Sequence, residues 1–127
     1  MLTQILAVAL GGALGAVCRY LVIGWVSTFA GTQFPFGTLA VNILGSFLMG
    51  VLYVVVIQKM HAYPEFRAVT VVGFLGAFTT FSTYSLEAFL MLQEGRIMQS
   101  VIYTLSSVIL CVLAIALGIY TSRSLLS

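Results

Sequence analysis

Gly73-Phe-Leu-Gly-Ala-Phe-Thr-Thr-Phe-Ser-Thr-Tyr-Ser85 is the stretch on which the fold turns. It sits inside an apolar run, yet five Ser and Thr residues fall between positions 79 and 85, after the glycines Gly73 and Gly76. Glycine weakens a helix, and Ser and Thr side chains compete for its backbone hydrogen bonds. In a membrane-crossing helix such a break is tolerated only where the freed backbone groups are buried in protein or line a polar cavity. The competing reading is packing glue, in which each hydroxyl bonds a carbonyl one turn back. The density of hydroxyls near the middle of the run favours the break.

Composition places this run in a membrane. Of 127 residues, 61% are apolar and 6% charged, and the net charge is +2. A soluble domain carries about a quarter charged residues. Eight charged side chains cannot clothe a water-soluble surface, so the chain is neither a soluble enzyme nor disordered. The small, scattered basic excess excludes a nucleic-acid partner. A hydrocarbon core of ~30 Å needs about 20 apolar helical residues per crossing. Hydropathy predicts four helical spans over about 3–26, 36–58, 68–92 and 98–121 in one domain, 1–127, with both termini on the same side. The first charged residue is Arg19, with no basic segment before the apolar stretch, so the first run is expected to be a permanent span and not a signal peptide.

The connections are short. Ser27–Pro35 is small and polar, Gln58–Arg67 holds most of the loop charge and the single histidine, His61, and Gln93–Ile97 is a tight turn. Pro64 and Glu65 make a good first turn for the third helix. Proline lacks only an N–H that this turn cannot use, and the carboxylate suits the positive helix end.

The remaining polar residues fall in stripes. Thr38, Asn42 and Ser46 recur every four residues on the second span, with Gly45 beside them, and Tyr103, Ser107 and Cys111 do the same on the fourth. Two stripes and a broken helix could line a narrow path. An interhelical hydrogen bond is the plainer reading of Asn42, although such bonds contribute little in membranes. Gly11 and Gly15 offer a close-contact face to another helix. Arg19 either marks function or snorkels to the interface. Cys18 and Cys111 lie in apolar runs without metal-like spacing and read as small packing residues.

Catalytic chemistry is absent. His61 is in a loop, and none of Glu65, Glu87 and Glu94 is central in a span. A proton-coupled exporter wants an ionisable group at mid-membrane. Only Glu87 approaches that, toward the end of its helix. Hydroxyls, an amide and aromatic rings do not titrate near neutral pH, which suits a passive channel for a small ion.

Gly37-Thr38-Leu-Ala-Val-Asn42-Ile-Leu-Gly45 together with Gly76-Ala-Phe-Thr79-Thr80-Phe81-Ser82-Thr83-Tyr84-Ser85 resembles the CrcB/Fluc fluoride channel family. Gly11, Gly12, Gly15, Arg19, Glu87 and the turn Leu92-Gln-Glu-Gly95 fit as well, so the resemblance runs over essentially the whole chain. It implies passive, fluoride-selective export across the bacterial inner membrane by an all-α, antiparallel, dual-topology homodimer with two pores. It also implies that Asn42 donates to fluoride, that Phe81 is the first of two pore phenylalanines, and that Tyr84 stands where the second is usual. Thr83, in the same string, is also expected on the fluoride path, and Tyr103 and Ser107 match a polar track whose next member, commonly serine, is Cys111 here. Gly76 and Thr79 match the pair whose carbonyls hold a structural sodium ion at the two-fold axis.

Physical chemistry agrees with these roles. Fluoride is strongly hydrated, so its path must replace water with donors, which hydroxyls and an amide supply. An aromatic ring has a positive edge against which an anion can rest. The alternatives are a small multidrug-type proton-coupled exporter, which lacks its central carboxylate here, and an accessory membrane protein, which leaves the third helix unexplained.

Overall fold

The computed structural model describes residues 1–59 and 63–127, and within these the regular elements are all helical. His61, assigned to a loop from the sequence, lies outside the described residues. The order is α1 (Leu2–Ala30), α2 (Phe36–Gln58), α3 (Pro64–Arg67), a π-helical stretch (Ala68–Leu75), α4 (Gly76–Phe78), α5 (Phe81–Gln93) and α6 (Ile97–Leu126). From α3 to α5 the chain forms one apolar span, Pro64–Gln93, so among the described residues four stretches are long and apolar enough to cross a membrane.

Three span ends differ from expectation, one of them that of α6, which runs to Leu126 instead of stopping near 121. The first helix continues to Ala30 instead of stopping near 26, because its last hydroxyls are satisfied inside it. Ser27 Oγ donates to the Ile23 carbonyl and Thr28 Oγ1 to that of Trp25. Gly31, at φ 80°, then stops the helix. The third span starts at Pro64, ahead of the bound near 68, with Pro64 and Glu65 in its first turn as expected, where the missing N–H costs nothing. The turn at residues 94–96 needs Gly95 at φ 79°. Arg96 there donates to the Gln33 carbonyl and lies 3.5 Å from Glu94, tying the two loops on this side together.

Glycines set the packing. Gly11 and Gly15 are buried against the π-helical stretch, where a Cβ on either would overlap the carbonyl of Val69 or Phe74. The close-contact face of the first helix is therefore used within the chain. A second seam joins α2 to α6, which run parallel. A Cβ on Gly50 would overlap the Ile115 carbonyl, and one on Gly118 that of Phe47. Small residues at such seams let backbones approach and gain dispersion contacts, which lipid does not otherwise favour.

Val41, Leu75 and Phe78 form the buried apolar core, with Cys18, Met49 and Phe74 packed against it. The outer faces carry exposed Leu6, Leu10, Leu14, Trp25, Ile109 and Leu113. Water would penalise that surface; a bilayer does not.

Candidate functional site

The third span breaks at two residues. Thr79 (φ −89°, ψ 158°) and Thr80 (φ −151°, ψ 118°) are extended, between α4 and α5. The sequence placed the disruption anywhere from 79 to 85, but Ser82, Thr83 and Ser85 are helical. Two hydroxyls do bond one turn back, Thr79 Oγ1 to the Leu75 carbonyl and Ser85 Oγ to that of Phe81. Thr80 acts differently. Its Oγ1 accepts from the Thr83 N–H at 3.2 Å and caps α5.

Asn42 holds the break open. Its Nδ2 donates to the Thr80 carbonyl at 3.0 Å, and its Oδ1 accepts from the Thr80 N–H at 2.8 Å. One amide thus replaces both bonds that Thr80 would make in an unbroken helix. An amide nitrogen carries two hydrogens, so one donor of Asn42 is left over. Gly45, one turn along α2, allows this approach, since a Cβ there would overlap Thr79 Cγ2.

Beside the break lies a cavity of about 410 Å³, and its walls include Asn42, Ser46, Phe81, Tyr84, Ser107 and Cys111. The two polar stripes therefore run side by side, level for level. Thr38 and Tyr103 meet at Glu87, and one and two turns further Asn42 with Ser107 and Ser46 with Cys111 face the cavity. Ser107 is buried, and its Oγ is the one buried side-chain polar atom without a hydrogen-bond partner among the described residues. Such an atom in a cavity wall is a donor without an acceptor.

Aromatic rings continue the line toward the loop side. Phe81 and Tyr84 lie 5.2 Å apart between centroids, Tyr84 and Tyr103 also 5.2 Å, and Phe34 stands edge-on to Tyr103 at 5.5 Å. Phe81 is 77% exposed, so within one chain its ring is bare on the outer side of the cavity. Tyr103, fully buried, donates to Glu87 Oε1 at 2.9 Å, and Thr38 donates to Oε2 at 3.1 Å.

Glu87 is the residue whose position the sequence concealed. Its signal was a rare carboxylate in an apolar span, and its two partners come from other helices. Thr83 and Arg19 are elsewhere, lining a separate groove with Tyr20, Trp25 and Thr28. Arg19 forms no ion pair among the described residues. Gly76 is exposed, and a Cβ there would meet nothing nearer than the Val71 carbonyl at 3.8 Å. Gly76 opens the three-residue α4 and Thr79 follows its end, within the last turn before the break, where helix carbonyls lack intrahelical partners.

Known proteins resemble this chain over nearly its whole length. Residues 6–119 match the family described as CrcB-like protein, Camphor Resistance (CrcB). A Hahella chejuensis protein named fluoride-specific ion channel FluC is 57% identical over 94% of this chain and 94% of its own length. Proteins of the same name from Saccharophagus degradans, at 49% identity over 94% and 90%, and Geobacter metallireducens, at 45% over 98% and 100%, are also similar. With four apolar spans and these relatives, this is a multi-pass bacterial membrane protein, and the chain belongs to the CrcB-like family.

Proposed function

We propose that this protein is a fluoride-selective passive channel that exports fluoride across the inner membrane and so protects the cell from fluoride toxicity. The observation that carries the reading is the unpartnered, buried Ser107 hydroxyl in a wall it shares with Asn42, Phe81 and Tyr84. Fluoride leaving water needs donors at each step. Ser107 offers its O–H and Asn42 its remaining N–H, while the edges of Phe81 and Tyr84 offer positive potential between them. Tyr103, whose one O–H is donated to Glu87, extends the line toward the loops with its ring and no free donor. The N-terminus of α5 also favours an anion through its free N–H groups. Thr83 and Arg19 line a groove separate from this cavity, where one uncompensated cation would raise the local anion concentration. No group here needs to transfer a proton or a covalent bond, which suits a channel and not an enzyme.

The working unit in this reading is an antiparallel homodimer in dual topology. The exposed Phe81 ring and the open face at Gly76 are the surfaces a second copy would cover. Loop and terminal cations support either orientation: Lys59, Arg67 and Arg123 on the terminus side stand against Arg96, plus Arg19 if it snorkels. That is a weak positive-inside bias. A structural sodium ion fits the carbonyls of Gly76 and Thr79. They lie at the negative end of a half-helix, and hard oxygens with an open glycine face suit a small cation. The ion would supply positive charge near the anion path and cross-brace two chains.

Ser107→Ala tests the central observation. Fluoride efflux from liposomes, normalised to folded dimer, should fall strongly, and Ser107→Thr, which keeps the hydroxyl, should retain most of it. Equal efflux from both variants would remove Ser107 from the path.

A further inference from the structure

We propose that Phe34, from the loop between α1 and α2, is the outermost ring of the fluoride path, and that Arg96 is a positioning residue that seats it against Tyr103. The inference rests on the channel reading above and starts from what the path lacks. At the level of Glu87 both carboxylate oxygens are acceptors, one from Tyr103 and one from Thr38. Each of those hydroxyls has a single proton, so neither is left for an anion passing toward the loops. Ring edges are the positive groups that remain at this level. Tyr103 stands well inside α6, about 9 Å from its start at Ile97. Another ring has to carry the line outward from there.

The loop is built to supply one. Phe34 is half-buried, although Gln33 before it and Phe36 after it are exposed. Its ring centroid lies 5.5 Å from that of Tyr103, at an interplanar angle of 78°. The steps from Phe81 to Tyr84 and from Tyr84 to Tyr103 are both 5.2 Å, so Phe34 continues one evenly spaced series. Two devices fix its backbone. On one side Pro35, at φ −79° and ψ 63°, centres an inverse γ-turn in which the Phe36 N–H donates to the Phe34 carbonyl at 2.8 Å. The proline ring holds that φ. On the other side Arg96, from the turn between α5 and α6, donates to the Gln33 carbonyl. Glu94, 3.5 Å from Arg96, orients the guanidinium and offsets its charge. Arg96 therefore acts on the anion through the place it gives Phe34, and not as a free cation.

Fluoride efflux from liposomes carrying the purified full-length protein, normalised to folded dimer, tests both residues. Wild type is measured first, and its failure to release fluoride would refute the channel reading and this inference with it. Phe34→Leu keeps an apolar side chain without a ring edge. Efflux should fall about two- to tenfold, the factor that one aromatic edge contact is worth. Phe34→Met, also without a ring, serves if the leucine variant does not assemble, and Phe34→Tyr should retain most of the flux. Arg96→Ala should lose flux in the same range. The double variant should lose no more than Phe34→Leu alone, because residues that act through one another are not additive. The Arg96→Ala loss should also persist in about 1 M potassium gluconate, where charges are screened beyond about 3 Å. Undiminished efflux per dimer in the ringless variants, or an equal loss in Phe34→Tyr, would overturn the role of the ring. Losses that multiply in the double variant, or an Arg96→Ala loss that vanishes in high salt, would overturn the role of Arg96 as the residue that seats it.

Discussion

Replacing Asn42 with leucine should damage both the fold and the flux. Asn42→Leu keeps the branched shape and heavy-atom count of the side chain but removes the donor to the Thr80 carbonyl and the acceptor for its N–H. Thr80 is 7% exposed and extended, so neither water nor a helical neighbour can take over. Leaving a buried polar group unsatisfied costs about 1–3 kcal/mol, which gives about 2–6 kcal/mol for the pair. Interhelical hydrogen bonds in membrane proteins average only about 0.6 kcal/mol when the unfolded state finds other partners. The larger range governs here because the partners are backbone groups in a break that exists only in the folded state. Steric-trapping or detergent-titration unfolding should therefore show a loss of about 2–6 kcal/mol, and fluoride efflux per folded dimer should collapse. Asn42→Asp keeps the acceptor for the Thr80 N–H but turns a carboxylate oxygen toward the Thr80 carbonyl, so it should also lose stability. A stability change of Asn42→Leu within about 0.5 kcal/mol, the size of a neutral surface substitution, would refute the claim that this amide builds the break.

Other substitutions probe separate parts. Phe81→Ile removes the positive ring edge at similar bulk and should cut efflux while size-exclusion chromatography still shows a dimer; Tyr84→Phe should conduct, and Tyr84→Ile should conduct less. Gly45→Val would drive its side chain into Thr79 Cγ2, so it should shift the break and reduce both yield and flux. Gly76→Leu meets little within its own chain; loss of a dimer with an intact monomer would place Gly76 at a subunit contact, and a fully active protein would refute the proposed sodium site. Reporters fused to the C-terminus should be active on both sides of the membrane, and signal from one side only would contradict dual topology.

The helices were legible because apolar run length is a property of each segment alone. The end of α1 was not, since Ser27 and Thr28 read as loop residues until their hydroxyls are seen returning to helix carbonyls. The break was legible as a region and not as a position. Among five adjacent hydroxyls, the choice of Thr80 is made by an amide 38 residues away. The π-helical stretch, against which α1 packs closely through Gly11 and Gly15, left no mark in composition. The polar stripes were visible as four-residue spacing, but their alignment depends on the parallel glycine seam of α2 and α6. Glu87 was seen and given no task, since its partners Thr38 and Tyr103 lie on other helices.

Fluoride and chloride efflux from liposomes carrying the purified protein tests the central claim most directly. With potassium as the counter-ion and valinomycin to clamp the voltage, fluoride-loaded vesicles should empty rapidly while chloride-loaded vesicles retain their contents. No fluoride efflux, or chloride efflux at an equal rate, would contradict the account.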